Sequence, residues 1–192
     1  MDKNNKFYIT TPIYYVNDKP HIGHTYTTIA ADVLARYHSM LGKKVFFSTG
    51  TDEHGAKIEQ KAEENKEKVE EFVARIAADF QLAWDELEIS HNFLGDFIRT
   101  SEQRHIEPVK KALQYLYDNG DIYAGKYEGW YCQGCEQYKM ESDLIDGQKC
   151  PDHGSKVEWM SEDTYMFRMS VYADRLLEKI ESDELKIRPV EK

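Results

Sequence analysis

Two histidines and a glycine form the first group of residues whose spacing could carry chemistry, in the segment His21-Ile22-Gly23-His24. A loop leads into a periodic stretch here, which predicts the first turn of a helix. A helix N-terminus favours phosphate because it presents unpaired N–H groups and the positive end of the helix dipole. Histidines three positions apart could donate to phosphate oxygens, and Gly23 would let a nucleotide approach the backbone. The alternative is that His21 and His24 only cap the helix.

Three cysteines and a histidine form the second group, with the spacing Cys132-x2-Cys135-x14-Cys150-x2-His153. Two ligand pairs separated by a loop are typical of structural zinc, which takes four sulfur and nitrogen ligands in a tetrahedron. An odd number of cysteines argues against a disulfide framework. Because all four positions would be filled by protein, we predict a structural rather than a catalytic metal. The fourth ligand stays open between His153 and Asp152, and free thiols beside a surface histidine are the alternative to a metal site.

The segments that would position these residues alternate between short strands and helices. Apolar spacing predicts strands over 7–11 and 45–49, a helix over 23–41 with a C-terminal glycine, and a second helical stretch after the turn at 50–55. This alternation is typical of a parallel α/β sheet. Further along, the pattern predicts helices over 70–87 and from a Thr100/Gln103 capping box to 119, strands over 122–132 and 164–169, and a helix over 171–180. We place a domain boundary near 119, which gives a first domain of 1–119 and a second of 120–192.

Composition narrows the class of protein. The 192 residues are 41% apolar and 12% aromatic, which is enough for a packed core and excludes a disordered chain. The N-terminal segment MDKNNKFYITT lacks the layout of a secretory signal, and no run approaches the roughly 18 apolar residues of a membrane span. We therefore expect a cytoplasmic protein with no membrane partner. The net charge of −10 gives no electrostatic reason to expect nucleic-acid binding by the chain as a whole.

Several motifs together resemble one enzyme family. The run TTPIYYVNDKPHIGH, the loop TGTDEHG and the later segments DVLARY, YEGWYC and MFRMSVY resemble class I aminoacyl-tRNA synthetases, and within that family the methionine-specific enzymes. Leucine, isoleucine and valine enzymes share the first element but do not in general have the TGTDEHG loop. The resemblance covers essentially the whole chain. It implies an α/β fold, namely the first half of a Rossmann-like parallel nucleotide-binding sheet with a small zinc-knuckle connective insertion.

The resemblance also implies roles for residues at the ends of the first two strands. Ile13 and Tyr15 would line a methionine pocket, and Asp52 would hold the substrate ammonium. A carboxylate at the carboxyl end of a parallel strand faces the crevice where such sheets bind ligands, so this role is chemically sound for Asp52. Without the resemblance, Asp52 would be interpreted as a capping residue, and Ile13 and Tyr15 as ordinary packing. We expect only local structural roles for Glu53 and His54.

A two-step reaction follows from the same resemblance. The methionine carboxylate would attack the α-phosphate of ATP, which arrives with Mg²⁺, pyrophosphate would leave, and the methionyl group would pass to the terminal ribose of the methionine tRNA. His21, Gly23 and His24 would bind ATP, with His21 and His24 as the catalytic residues. The second half of the nucleotide-binding fold and a helical anticodon-binding domain are absent from these 192 residues. We therefore expect the chain alone to be inactive and to need the remaining C-terminal portion of the enzyme.

Two other functions share parts of this pattern. A nucleotidyltransferase that acts on a different substrate also uses an H-x-G-H loop at a helix N-terminus, although the zinc knuckle argues against it. A non-catalytic binding module, with the zinc segment presented to RNA or protein, is the alternative from a different class.

Overall fold

The computed structural model describes residues 5–135 and 137–188, and the chain divides into two compact units, Met1–Val109 and Lys110–Lys192. The division falls inside a helix that ends at Asp118, so the boundary near 119 stays a prediction. In chain order the elements of the first unit are β1 (Lys6–Thr10), β2 (Tyr14–Tyr15), α1 (Ile22–Met40), β3 (Lys44–Asp52), α2 (Ala56–Asn65), α3 (Val69–Glu86), α4 (His91–Leu94), β4 (Gly95–Arg99) and the start of α5 (Gln103–Asp118). The second unit adds β5 (Ile122–Cys132), β6 (Gln137–Lys139), β7 (Glu158–Phe167) and α6 (Ser170–Glu181).

One strand organises the sheet of the first unit. β3 pairs in parallel with β1, β2 and β4. The predicted parallel α/β architecture is therefore confirmed. Two of these strands were not predicted from sequence, because β2 has only two residues and β4, with the sequence GDFIR, lacks a recognisable alternation.

The long helix α1 was predicted correctly, but the face that packs inward is not its most apolar one. Its buried residues are Thr28, Ala31, Asp32 and Ala35, which are small or polar. Asp32 is satisfied there because it accepts hydrogen bonds from the Ser90 backbone N–H at 2.6 Å and from Arg36 Nε at 2.7 Å. The large apolar residues whose spacing predicted this helix lie on its exposed side.

The core of the first unit lies between this sheet and α3. Phe72, Val73, Ile76, Phe80 and Trp84 of α3 are buried, as their helical spacing predicted. They pack in one cluster with Phe47 of β3 and Phe97 of β4. The predicted capping box at the start of α5 is wrong, because the Thr100 hydroxyl instead accepts a hydrogen bond from the Glu53 backbone N–H at 2.9 Å.

A buried ion pair ties the end of β3 to β4. The Glu53 carboxylate, with no exposed side-chain surface, accepts hydrogen bonds from Arg99 Nε at 2.7 Å, Thr51 Oγ1 at 2.8 Å and Ser101 Oγ. Burial alone would raise the pKa of Glu53, but the hydrogen bonds from Arg99, Ser101 and Thr51 outweigh it and hold the pKa below its usual value. These hydrogen bonds account for the structural role expected of Glu53.

Removal of the partner charge should therefore destabilise the unit. We expect Arg99→Met to lower the free energy of unfolding at pH 7 by about 2–3 kcal/mol, less than for a fully enclosed pair because Arg99 retains some exposure. The folded-state pKa of Glu53 is depressed, so the contribution of this pair is complete above the unfolded pKa and is lost as the pH falls through the folded value. Urea unfolding at pH 7 and at pH 4 should show the difference between variant and wild type shrinking at the lower pH. Arg75→Met, which breaks an exposed pair with Glu67, is the matched control and should have a much smaller effect.

The second unit is an antiparallel ribbon with very little apolar core. β5 pairs with β7 and with β6, and the predicted strand over 122–132 is confirmed. The strand predicted at 164–169 instead runs from Glu158 to Phe167. The described buried residues of this unit are Cys132, Cys150 and Val157. No helix in the part of the chain that the structure describes is long and apolar enough to cross a membrane.

Candidate functional site

The two histidines lie together at the first turn of α1. His21 is the N-cap residue, in extended conformation, and His24 is the third residue of the helix. Their rings stack at a centroid distance of 3.8 Å with an interplanar angle of 24°. The two side chains cap the helix reciprocally, since His21 Nδ1 accepts from the Gly23 backbone N–H at 3.1 Å and His24 Nδ1 accepts from the His21 backbone N–H at 3.3 Å.

This capping role fixes the chemistry that the histidines can still offer. A neutral imidazole whose Nδ1 accepts a hydrogen bond carries its proton on Nε2. Both rings are therefore held as the tautomer with an Nε2–H donor. The pKa of His24 is lowered, first because the ring is partly buried and second because of repulsion from His21, which favours the neutral form. Capping and ligand binding are thus not alternatives at this site, because capping occupies Nδ1 and leaves Nε2–H to donate.

Gly23 has no room for a side chain, because the His21 ring lies beside it. A Cβ at this position would lie 2.9 Å from Cε1 and 3.1 Å from Nδ1 of the His21 ring. The expected role of this glycine was close approach by a nucleotide, and the structure adds that the space beside it already holds an imidazole.

Substitution of Gly23 should release the His21 ring and have little effect on the stability of the fold. In Gly23→Ala, we expect the His21 ring to rotate away and lose its cap hydrogen bond, while the better helix propensity of alanine, about 1 kcal/mol, offsets the lost cap. Long-range ¹H–¹⁵N spectra should show that His21 loses its fixed tautomer while the melting temperature changes little. Ile22→Ala, an exposed position in the same turn, should preserve the tautomer. A fixed His21 tautomer in both variants would contradict this reading.

Tyr14 is a site residue that sequence reasoning missed. Its hydroxyl bonds the Thr28 hydroxyl at 2.8 Å and donates to the His24 carbonyl at 3.2 Å, and its ring lies 4.7 Å from the His24 ring. Tyr14 is buried, and its ring stacks on Phe80 at 5.6 Å. The alternation of a strand could have indicated this position, because neighbours along a strand project from opposite faces, and Tyr14 is buried where Tyr15 is exposed.

The residues predicted to bind an amino acid lie at the carboxyl end of the sheet. Tyr15 and Asp52 are directly paired across β2 and β3, so their side chains project from the same face. Ile13 immediately precedes β2 and is 42% exposed. The structure thus brings Tyr15 and Asp52 together and places Ile13 beside them, and it leaves their roles as predictions.

The cysteines and His153 converge in the second unit. One ligand atom from each of Cys132, Cys135, Cys150 and His153 lies within 4.8 Å of the others. Cys135 Sγ is 3.4 Å from Cys150 Sγ and 3.1 Å from His153 Nδ1. Zinc–sulfur bonds of about 2.3 Å in a tetrahedron require sulfurs about 3.8 Å apart, so this donor set fits a zinc ion with small adjustments.

The pKa values of two of the thiols show which sulfur is most ready to bind a cation. The pKa of Cys132 falls to about 6 despite its burial, because the backbone N–H of Cys135 and the thiols of Cys150 and Cys135 donate to its sulfur. Desolvation raises the pKa of Cys135 to about 12, and its hydrogen bonds to the other two sulfurs act in the same direction. Of these two sulfurs, Cys132 is therefore the one most readily available as a thiolate, the form in which cysteine binds a metal.

The contacts of His153 and Asp152 indicate which of the two is the fourth metal ligand. Asp152 is engaged by Lys139, whose Nζ lies 2.8 Å from its Oδ2. The His153 ring packs against Gly134, where a Cβ would lie 2.8 Å from Cγ of the ring. Sequence reasoning did not single out Gly134. The geometry favours His153 as the fourth ligand.

Comparisons with known proteins identify the family of this chain. The profile of the family described as tRNA synthetases class I (M) matches residues 7–179. Methionine–tRNA ligases of Bacillus subtilis and Clostridium tetani are each 50% identical, over 97% and 95% of this chain and over 29% and 28% of their own lengths. Methionyl-tRNA synthetase of Mycobacterium tuberculosis in complex with methionyl-adenylate superposes with a TM-score of 0.87 at 37% identity, over 97% of this chain and 36% of that one. The chain therefore spans about 30% of the length of the curated relatives it matches.

Proposed function

Since this chain belongs to the class I tRNA synthetases of the methionine type, we propose that it supplies the methionine- and ATP-binding part of a methionine–tRNA ligase. The observation that carries the proposal is the stacked histidine pair at the start of α1, with both Nδ1 atoms used in capping and both Nε2–H groups left as donors. The solved relative that binds methionyl-adenylate supports the same chemistry.

ATP would bind at the N-terminus of α1. The Nε2–H groups of His21 and His24 would donate to phosphate oxygens, together with the positive end of the helix dipole. As the methionine carboxylate attacks the α-phosphate, negative charge builds on its oxygens, and donors that are already fixed stabilise that charge without reorganising. Mg²⁺ would arrive with ATP and offset the charge of the leaving pyrophosphate. No protein nucleophile is required, since positioning and charge stabilisation carry the step.

Methionine would bind at the carboxyl end of β3. The Asp52 carboxylate would hold the substrate ammonium through a charge-assisted hydrogen bond, Tyr15 would orient the amino acid, and Ile13 would contact the thioether side chain. The in-register pairing of Tyr15 with Asp52 supports a single pocket for the three residues. The second step, transfer to the 3′ end of the methionine tRNA, would need the C-terminal portion of the enzyme.

Zinc would serve the second unit as a structural ion. Cys132, Cys135, Cys150 and His153 would hold it, and the ion would add to the small buried core that Cys132, Cys150 and Val157 form in the described part of this unit.

Amino-acid-dependent ATP–pyrophosphate exchange tests the proposal. It should be measured with methionine, leucine, isoleucine and cysteine, on this chain and on the full product of the reading frame that encodes it. We expect exchange with methionine in the full product only. Pyrophosphate release that depends on a phosphate-bearing acceptor would favour a nucleotidyltransferase instead, and binding without turnover in the full product would favour a binding module.

A further inference from the structure

A lysine–aspartate pair lies beside the four residues proposed to hold zinc. Lys139 Nζ is 2.8 Å from Asp152 Oδ2, and the Lys139 side chain is only 15% exposed, against 60% for Asp152. The strand β6 fixes the position of Lys139, because this residue pairs there with Trp130 of β5. A lysine side chain is seldom so enclosed unless its charge is paired, and the Asp152 carboxylate is a partner for it here.

The carboxylate of this pair is itself within reach of a metal ion. Asp152 Oδ2 lies 3.6 Å from Cys135 Sγ and 3.9 Å from Cys150 Sγ. In a tetrahedral zinc site, with bonds of about 2.3 Å to sulfur and about 2.0 Å to oxygen, an oxygen ligand lies about 3.5 Å from each sulfur ligand. The Asp152 oxygen therefore already lies near the distances of a ligand from these two sulfurs.

Two side chains thus compete for one coordination position. His153 Nδ1 is 3.1 Å from Cys135 Sγ, and Asp152 Oδ2 is 3.6 Å from the same sulfur. Because carboxylates are ordinary zinc ligands, the chemistry of the donor does not exclude Asp152. The ammonium of Lys139 distinguishes the two candidates, because Asp152 would have to give up a charge-assisted hydrogen bond before it could bind the ion.

We propose that Lys139 is a positioning residue of the metal centre. Its ammonium holds the Asp152 carboxylate outside the coordination sphere and so reserves the fourth position for His153. This role rests on the zinc site of the proposed function, and it determines which of two neighbouring side chains binds the ion. Without the ammonium, Asp152 is free to become a ligand.

Removal of the lysine from a protein that lacks His153 tests this role. In the full product, His153→Ala should weaken zinc binding by about tenfold or more, because Lys139 keeps Asp152 away from the ion. Addition of Lys139→Gln should strengthen binding again by about tenfold, since Asp152 then supplies the fourth ligand. Addition of Asp152→Asn as a third change should remove this recovery. Competition with a chromophoric chelator measures each affinity, and a recovery of binding is not a result that misfolding could produce.

Cobalt(II) in place of zinc identifies the ligand that enters. The d–d bands of the recovered centre should lie at longer wavelength than those of the wild type, because a carboxylate is a weaker-field ligand than an imidazole. Two controls keep the lysine charge beside Asp152 in the His153→Ala background. Lys139→Arg preserves a cation at the same position, and Lys156→Gln removes an exposed lysine elsewhere in the same unit. Neither should restore metal binding.

Three results would overturn the role of Lys139 and leave the zinc site in place: wild-type affinity in His153→Ala, no recovery on addition of Lys139→Gln, or equal recovery with either control. Absence of stoichiometric zinc from the wild type would overturn the zinc site of the proposed function, and the role of Lys139 with it.

Discussion

Replacement of His24 by alanine should lower the turnover of methionine-dependent ATP–pyrophosphate exchange by about 10²–10³-fold, the usual cost of one fixed donor to a developing oxyanion. The KM for methionine should change little, because the residues proposed to bind methionine are Ile13, Tyr15 and Asp52. The reason is geometric: His24 Nδ1 is occupied by the His21 backbone N–H, so that Nε2–H is the group available to the phosphate. The measurement is steady-state exchange by the full product, with both substrates varied.

Two further variants give this prediction its control. His105→Ala removes a histidine from α5 outside the site and should leave exchange unchanged. His24→Asn offers a side-chain oxygen for the cap and a nearby N–H donor, so it should recover part of the lost rate. If His24→Ala weakened methionine binding as strongly as turnover, the histidine would be structural rather than catalytic.

We expect the second large effect from a variant that lacks one of the proposed zinc ligands. Cys132→Ser should reduce the metal content from about one zinc per chain to a small fraction, because a structural site needs all four ligands. The apparent binding energy of such sites is about 10–16 kcal/mol, and the ribbon has only Cys132, Cys150 and Val157 as its described buried core. We therefore expect the segment 137–157 to lose its amide-exchange protection, while the first unit keeps its own. Elemental analysis with mass-spectrometric hydrogen exchange measures both.

The fourth ligand can be decided with the same assays. His153→Ala should lose zinc, and Asp152→Asn should retain it, since Asp152 is held by Lys139. Gly134→Ala should weaken zinc binding without removing any ligand, because its Cβ displaces the His153 ring. Retention of zinc by His153→Ala together with its loss from Asp152→Asn would reverse the assignment.

Sequence spacing predicted the elements better than it predicted their faces. The three- and four-residue steps from Tyr26 to Tyr37 correctly indicated α1, yet these residues are exposed and the buried face is Thr28, Ala31, Asp32 and Ala35. Periodicity reports that a helix has an apolar side and cannot report which neighbour covers it.

Within the site, local motifs were predictable and long-range contacts were not. The four-residue histidine segment and the cysteine spacing each signal a local chemistry. Within each group, the structure brings the members close to one another. Tyr14 was missed because its partners, His24 and Phe80, lie on two different helices. The pairing of Glu53 with Arg99 was likewise out of reach, since it depends on the register of β4 against β3.

The position of β3 in the sheet sets the order in which the first unit can assemble. Lys44 pairs with Lys6 and Phe47 pairs with Gly95, so the central strand finds one partner earlier in the chain and another much later. When distant segments pair in parallel, the entropic cost of closing a long loop comes before the stabilising contacts form. Such pairing therefore slows folding. On the ribosome, β1 and β3 can meet early, but one side of β3 stays open until Arg99 has emerged from the exit tunnel. Until then the open edge of β3 offers unpaired backbone groups to other chains, which favours aggregation.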